Sequence, residues 1–196
     1  MIIDVLDLIK QSLQSYVFEV AGREETEDIV VLNNVVMATD LGGSDEGMKK
    51  KIIMTLVNIQ EESTLKNSTG YRFKNGHAVY QNPPTYLNLF ILFSVLDNDY
   101  EQALQRLSRV IEFFQWRRKI SPSLSPGSRN DKSIGDFEVV MDLYSLMFEQ
   151  LNHLWGALGG KQLPFALYRA RLVALEAEKR QAEEPIITEI SVNEEA

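Results

Sequence analysis

The chain has 196 residues, of which 44% are hydrophobic, with a formal net charge of −8 and no cysteine. The lack of cysteine excludes disulfides, thiolate metal sites and cysteine nucleophiles. The acidic balance argues against a nucleic-acid binder, which needs a basic face to displace counterions. No apolar run reaches the roughly 18 residues that span a bilayer, and the N-terminus lacks the basic region of a signal peptide, so we expect no membrane segment and a cytoplasmic origin.

The first part of the chain predicts one helix and two strands. Residues 2–20 carry apolar side chains at helical spacing, which predicts an amphipathic helix. Residues 29–37 are apolar and β-branched and predict a strand or a strand-like loop, whereas residues 41–47 predict a loop. Residues 51–60 are apolar on both alternating sides, which predicts a strand that is buried on both faces.

Residues 61–84 are polar and predict a long loop with a hairpin-type turn at Asn75 and Gly76, followed directly by His77. A loop of more than twenty residues inside a compact domain is typically functional or ordered by a partner. We therefore predict that Asn75, Gly76 and His77 contact a neighbouring subunit.

The strongest strand signal, residues 85–96, leads into the clearest helix. Asn98 as N-cap places Glu101 at N3, an arrangement that resembles a capping box. An apolar stripe then follows helical spacing and predicts the apolar face of the helix. Its members are Tyr100, Ala103, Leu104, Leu107, Val110, Ile111 and Phe114.

Three cations, Arg117, Arg118 and Lys119, close this helix. Cations at a helix C-terminus complement the helix dipole. We favour the interpretation that these three side chains stabilise the helix end and are otherwise solvated. The same side chains could also contact an acidic neighbouring subunit, so they are candidate contact residues.

The remainder of the folded region predicts a loop at 121–133, a strand at 137–144, a helix and a final strand at 165–175. The second helix carries an apolar stripe from Met147 to Leu158 and is stopped by two glycines. This order predicts one α+β domain over residues 1–176, with a mixed sheet flanked by two or three helices.

Residues 177–196 form an acidic C-terminal arm. From residue 176 to the last residue, seven acidic side chains oppose two basic ones, a net charge of −5. The stretch to residue 184 is polar and helix-tolerant, whereas residues 185–192 have strand propensity. The arm is either a disordered acidic terminus or an extended segment that adds a strand to a neighbour. Under the second hypothesis, the residues that contact the neighbouring subunit are Pro185, Ile186, Ile187, Ile190 and Val192.

The sequence predicts no catalytic residue, no cofactor and no metal site. His77 and His153 lack a partner at ligand spacing. The glycine-rich stretches at 42–44 and 156–160 do not match a phosphate loop, and no nucleophile elbow is present.

Several runs in the chain together resemble a known family in their order and spacing. They are residues 59–67, 83–94, 99–104, 110–115, 154–160, Pro164 and 167–169. The pattern, over roughly residues 1–176, is similar to the cap, or tube-terminator, proteins of extracellular contractile injection systems. These are phage-tail-like particles such as the Photorhabdus virulence cassette and the antifeeding prophage.

The resemblance implies a fold like phage tail terminators and a homohexameric ring at the end of the particle distal to the baseplate. It implies inner-tube and sheath proteins as partners, and a structural role in ending tube growth and locking the last sheath ring. Assembly would take place in the cytoplasm, in a particle that is then released or cell-associated. Two alternatives remain open: another structural tail subunit, such as a connector or tube initiator, and an enzyme on an α+β scaffold.

Overall fold

A computed structural model describes residues 2–21, 29–40, 50–62, 71–74, 77–80, 85–122, 138–175 and 182–185. The helices are α1 (Ile2–Ala21), α2 (Val35–Asp40), α3 (Tyr100–Trp116) and α4 (Phe148–Ala157). The strands are β1 (Val30–Leu32), β2 (Lys51–Glu61), β3 (Tyr71–Lys74), β4 (His77–Tyr80), β5 (Thr85–Leu96), β6 (Lys119–Ile120), β7 (Val139–Leu143), β8 (Phe165–Leu175) and β9 (Ala182–Pro185). The predicted α+β class is confirmed.

Two compact units make up the chain. The larger comprises Met1–Gln60 and Leu87–Val173, and the smaller comprises Glu61–Tyr86 and Ala174–Ala196. The smaller unit thus groups a segment from the middle of the chain with the C-terminal segment. The division into residues 1–176 and 177–196 stays a prediction.

A six-stranded mixed sheet, in the order β1-β2-β5-β8-β7-β6, organises the larger unit. The first pair, β1 and β2, is parallel, whereas β7 is antiparallel to both β6 and β8. The long strands β5 and β8 lie inside the sheet, so both of their backbone edges are paired. This position suits the largely apolar β5, because an interior strand must cover both faces of the sheet.

The sheet has an apolar core on each face, and β5 contributes to both. Its residues Leu89, Ile91 and Phe93 belong to the first core, which is covered by α1 and α3. The alternate residues Phe90 and Leu92 belong to the second core, which includes residues of α2 and α4. Strand side chains alternate between faces, so the unbroken apolar run Leu89–Phe93 supplies both cores.

The prediction that β2 is buried on both faces holds for its first half only. Ile52, Ile53 and Met54 are fully buried, whereas the strand is exposed from Asn58 to Glu61.

The segment 29–37 was predicted as extended, but the structure turns its second half into α2. Asn34 Oδ1 accepts a hydrogen bond from Val36 N at 3.0 Å, and the Thr55 hydroxyl accepts one from Val35 N at 3.1 Å. These oxygens satisfy two amides of the first helical turn, which have no acceptor inside the helix. The β propensity of the valines is therefore overridden by side-chain acceptors, one of which comes from a neighbouring strand.

The N-cap of α3 is Asp99 and not Asn98, so that prediction was wrong by one residue. Asp99 Oδ1 accepts from Glu101 N at 3.0 Å and from Gln102 N at 3.4 Å. Asp97 Oδ1 in turn accepts from Asp99 N at 3.1 Å, which forms the turn before the helix.

The buried face of α3 also differs from the predicted stripe. Tyr100 is 67% exposed, and Leu104 and Ile111 are exposed as well. The buried side chains include Arg106 and Phe113, which were outside the predicted stripe. They share this face with Ala103, Val110 and Phe114.

Specific partners explain this rotation of the helix face. The Arg106 guanidinium lies 3.8 Å from a buried Asp97 carboxylate oxygen and donates to the Lys50 carbonyl. The Phe113 ring packs on Tyr16 of α1, with ring centroids 5.3 Å apart. An arginine whose charge is paired can line a core with its aliphatic stem, which a pattern of apolar letters does not reveal.

The helix α4 ends as predicted at two glycines. Gly159 and Gly160 have φ values of 89° and 78°, a left-handed conformation that only glycine adopts without strain. Trp155 of this helix is buried against Phe165, with ring centroids 5.4 Å apart.

In the smaller unit, β3 and β4 pair as an antiparallel hairpin from Tyr71 opposite Tyr80 to Lys74 opposite His77. Two residues separate the strands, in agreement with the predicted hairpin-type turn. The prediction of one long loop over 61–84 was therefore wrong in this part. The predicted loop at 41–47 lies outside the described residues, and so does the predicted loop at 121–133 from residue 123 onwards.

The strand β9 completes the smaller sheet by pairing antiparallel with β4. It covers Ala182–Pro185, so all of it except Pro185 lies in the stretch that was predicted as polar and helix-tolerant. Most of the predicted strand at 185–192 lies outside the described residues.

Candidate interaction surface

Four charged side chains of the larger unit meet around one carboxylate. Asp142 of β7 lies directly opposite Arg169 of β8, and Val140 lies opposite Arg171. Asp142 Oδ1 accepts a hydrogen bond from Arg118 Nε at 3.1 Å. The other carboxylate oxygen, Oδ2, lies 3.8 Å from a guanidinium nitrogen of Arg169 and contacts Arg171 Nε. We call Asp142, Arg118, Arg169 and Arg171 the arginine cluster.

Strand alternation puts this cluster on one face of the sheet. Met141 of β7 and Tyr168 of β8 point into the first core, so Asp142 and Arg169 point to the opposite face. That opposite face carries the second core, to which Leu167 belongs. This face of the sheet is therefore apolar where the second core packs and carries charged side chains at β7 and the neighbouring part of β8.

The cluster has an excess of positive charge. Three guanidinium groups share one carboxylate, a formal charge of +2 in a chain whose net charge is −8. Arg169 Nε is shielded from solvent and has no hydrogen-bond acceptor among the described residues. Arg118, Arg169 and Arg171 nevertheless keep between a third and two thirds of their side-chain surface exposed. The cluster can therefore accept a further carboxylate from outside.

The predicted contact residues Arg117, Arg118 and Lys119 follow α3, which ends at Trp116. Arg118 belongs to the arginine cluster, and Lys119 Nζ lies 2.8 Å from Glu138 Oε1. The Arg117 guanidinium stacks 4.8 Å from the ring centroid of Trp116, which is 64% exposed. These cations therefore have side-chain partners within the chain, besides any effect on the helix dipole.

Exposed apolar side chains follow the cluster along the chain. Leu143 is exposed, Met147 is 76% exposed and Phe148 is 91% exposed. Met147 was predicted to begin the apolar stripe of α4, but it precedes this helix, which starts at Phe148. It is the N-cap of α4, where the Gln150 side chain accepts from its backbone N–H at 3.0 Å. A large, nearly fully exposed aromatic residue such as Phe148 is typical of an interaction surface.

The structure brings two predicted contact residues of the smaller unit together. His77 of β4 lies directly opposite Pro185 of β9. The strand that contains Pro185 pairs within its own chain, and strand addition to a neighbour by the residues beyond it stays a prediction. Asn75, Gly76, Ile186, Ile187, Ile190 and Val192 lie outside the described residues.

One tyrosine has a displaced pKa, and the cause is packing. Burial raises the pKa of Tyr168 to about 12. Its ring lies against Phe93 and Phe114 in the first core, with centroids 5.8 and 4.6 Å away.

Within the described part of the chain, no group of three or more His, Cys, Asp or Glu residues could hold a metal ion. No helix there is long and apolar enough to cross a membrane.

Asp142, Arg169, Arg171 and Phe148 were not among the residues predicted from the sequence to contact a neighbour. A signal for two of the arginines was present, because Arg169 and Arg171 alternate with Tyr168 and Ala170 in a strand. That alternation puts both guanidinium groups on one face. The pairing partner Asp142 depends on the register of β7 against β8, which the sequence pattern does not specify.

Comparisons with known proteins give the same family as the resemblance drawn from the sequence. The family described as Pvc16 N-terminal domain matches residues 4–189. No curated protein matches the chain.

Two solved structures share the fold. The first is the PVC sheath/tube terminator of an extracellular contractile injection system in the extended state. It superposes on all of the chain with a TM-score of 0.67 at 16% sequence identity. The tube-terminating cap of the anti-feeding prophage superposes on 98% of the chain with a TM-score of 0.65 at 14% identity. The chain spans 64% of the first protein and 61% of the second.

The family match covers nearly the whole chain, and the folds agree over the same length. The resemblance to the terminator and cap proteins is thereby confirmed. The chain belongs to the Pvc16 N-terminal domain family.

Proposed function

We propose that the chain is a structural, non-enzymatic cap that terminates the tube and sheath of a contractile injection particle. The observation that carries this proposal is the superposition of the entire chain on a sheath/tube terminator. The match of the same family to residues 4–189 supports it independently of the coordinates. The cap acts as a homohexameric ring, with the inner-tube protein on one side and the last sheath ring around it.

The surface chemistry of the larger unit suits a subunit that is covered by partners. An exposed Phe148 and an arginine cluster with excess charge are features of protein interfaces, where aromatic residues and arginine are enriched. A ring needs heterologous contacts, in which two different surfaces of each copy meet. Assembly takes place in the cytoplasm, and the cap then stays with the extracellular particle.

Deletion of the gene in a cell that makes the particles tests this function. Electron microscopy is expected to show tubes of uncontrolled length and sheaths without a closed end. Complementation with the intact gene is expected to restore particles of uniform length. Particles of normal length with closed ends in the deletion strain would contradict the proposal.

A connector or tube initiator of the same kind of particle is the second candidate, since these subunits are also ring-forming tail proteins. It predicts a different defect, namely normal tubes without baseplates. Mass measurement of the purified chain adds a separate check, for which we expect six copies per ring. An enzyme on this scaffold predicts instead a monomer with turnover of a small molecule.

A further inference from the structure

We propose that an exposed apolar stripe of α3 in one copy packs against Met147 and Phe148, at the start of α4, in a second copy. This contact rests on the proposed ring-forming function and supplies the two surfaces that a ring needs. Both surfaces belong to the larger unit of the chain, which contains α3 and α4.

The helix α3 has a second apolar side besides the one that it buries. Tyr100, Leu104, Leu107 and Ile111 recur every three or four residues and share one side of the helix. Tyr100 is 67% exposed, Leu104 41% and Ile111 38%, whereas Leu107 is partly buried against the first core. We call these four residues the outer stripe. Apolar side chains at this spacing are the pattern by which a helix packs against a partner.

The start of α4 offers the complementary apolar surface. Met147 is 76% exposed and Phe148 is 91% exposed. Phe148 precedes Trp155 by seven residues, about two helical turns, so both lie on the same side of α4. Trp155 is buried in the second core, which means that the apolar side of α4 continues beyond the part that the core covers. An aromatic side chain in this position is the usual anchor of a protein interface.

The charges that accompany the outer stripe are acidic. Glu101 and Glu112 follow its first and last residues directly, and both are exposed. Arg109 lies on the side of α3 that is turned away from the stripe, at about 100° of rotation per residue. The stripe is therefore flanked by carboxylates.

The charges on the side of α4 are basic. The arginine cluster has a formal charge of +2 and lies on the face of the sheet that carries the second core, on which α4 packs. Phe148 follows Asp142 by six residues, so their Cα atoms are at most about 22 Å apart. Glu101 and Glu112 are about 16 Å apart along α3. A stripe that covers Phe148 can therefore bring a carboxylate to the arginines, and the two surfaces are complementary in charge as well as in apolar character.

The two surfaces lie on opposite faces of the six-stranded sheet, which makes this a contact between copies. The helix α3 packs on the first core and α4 on the second, with the sheet between them. The outer stripe is thus kept from Phe148 of its own chain. Because the two surfaces differ, the contact is heterologous, repeats from copy to copy and closes where the rotation permits a ring. Contact of like surfaces is disfavoured, since two acidic or two basic surfaces repel one another.

Crosslinking of single-cysteine variants tests the contact in the intact chain. The chain has no cysteine, so an introduced thiol reports on one position. Full-length Leu104→Cys and full-length Phe148→Cys chains are mixed, allowed to assemble and treated with a short bismaleimide. We expect covalent dimers that contain one chain of each kind, because side chains in a packed contact lie within about 4.5 Å of each other. Mass spectrometry of the linked peptides identifies the two positions.

Gln102→Cys is the matched control for Leu104→Cys. Both positions are exposed on α3, but Gln102 lies on the side turned away from the outer stripe. Its mixture with Phe148→Cys is expected to give at least about tenfold fewer dimers, because only groups held in a contact have a high effective concentration. If Leu104→Cys fails to fold by circular dichroism, Tyr100→Cys takes its place, since Tyr100 is 67% exposed.

Sedimentation of full-length variants gives a second measurement. Phe148→Asp is expected to weaken self-association at least about tenfold, as for the loss of an aromatic anchor. The replaced side chain is 91% exposed, so the single chain should keep its fold. Ile59→Asp, a change at an exposed apolar residue of β2 outside both surfaces, should leave self-association within about twofold.

Three results would overturn this contact. The first is crosslinking no greater than that of the Gln102→Cys control, as expected if a different protein covers the stripe. The second is crosslinking of either variant mainly with itself, as expected for a contact of like surfaces. The third is unchanged self-association of Phe148→Asp.

Failure of the contact and failure of the proposed function are distinguishable. Tubes of uncontrolled length in the deletion strain, without the crosslink between purified copies, disprove only the contact. Particles of normal length in the deletion strain, together with the crosslink, disprove only the function.

Discussion

Asp142 of β7 lies directly opposite Arg169 of β8 in the antiparallel register, and the same carboxylate also contacts Arg118 and Arg171. One acidic side chain therefore holds three cations, two from β8 and one from the segment between α3 and β6. This arrangement links β7 to β8 and to the segment before β6, and it leaves an excess of positive charge on the surface. It links the stability of the fold to the surface through which we expect copies to meet.

The first prediction concerns this carboxylate. Asp142→Asn leaves three guanidinium groups close together without their counter-ion, and we expect unfolding to become easier by about 1–3 kcal/mol. The loss should be smaller at high salt, because salt screens the repulsion between partly exposed cations. Urea denaturation at low and high salt measures both effects.

Glu138→Gln is the matched control for Asp142→Asn. Its partner Lys119 and the glutamate itself are more than half exposed, so the pair is expected to contribute less than about 1 kcal/mol. An effect of Glu138→Gln as large as that of Asp142→Asn would contradict a special role of Asp142.

The second prediction concerns the start of α3. Asp99→Ala removes the acceptor for Glu101 N and Gln102 N and is expected to cost about 1 kcal/mol of stability, the usual effect of losing an N-cap. Asn98→Ala removes no such bond in the N-cap and should change stability by less than about 0.5 kcal/mol. Thermal or urea unfolding of the two variants decides which residue is the cap.

The third prediction concerns the buried face of α3. Phe113 is fully buried, and Phe113→Ala is expected to destabilise the protein by about 3–5 kcal/mol through the cavity that it leaves. Ile111→Ala removes an exposed side chain of the predicted stripe and should cost less than about 1 kcal/mol. The reverse order of the two effects in urea denaturation would show that the predicted stripe is the buried one.

The fourth prediction concerns alkaline pH. Burial raises the pKa of Tyr168 from 10.0 to about 12, so the folded state favours the neutral phenol. The corresponding stability is fully present below pH 10 and is lost as the pH rises through 12, to a total of about 3 kcal/mol.

The difference between the wild-type chain and Tyr168→Phe isolates this effect from other groups that titrate at alkaline pH. We expect the wild type to lose stability faster than Tyr168→Phe between pH 9 and pH 11 in urea denaturation. Parallel curves for the two proteins over this range would contradict the assignment.

Long apolar segments could be predicted from the sequence alone. The strands at residues 85–96 and 165–175 have the bounds that were predicted, and α1 ends one residue beyond its predicted end. The helix α3 ends at Trp116, before the three cations that were predicted to close it. The strands carry long, mostly apolar runs and the helices carry apolar side chains at helical spacing, and both are local properties of the chain. The terminator-like fold also followed from the sequence, because the resemblance depends on the order and spacing of these same segments.

Contacts between distant residues could not be predicted in this way. The helix at Val35 depends on a hydroxyl from Thr55, and the buried face of α3 depends on the pairing of Arg106 with Asp97. The strand β9 has a polar composition and forms only because β4 offers it an edge.

By itself, the sequence therefore determined the α+β class, the main elements and the family, since local periodicity and segment order are written in consecutive residues. Only the tertiary structure decided which helix face is buried and that one aspartate is shared by three arginines. The reason is that strand register and helix rotation are set by side chains far apart in the chain, which meet only when the sheet has formed.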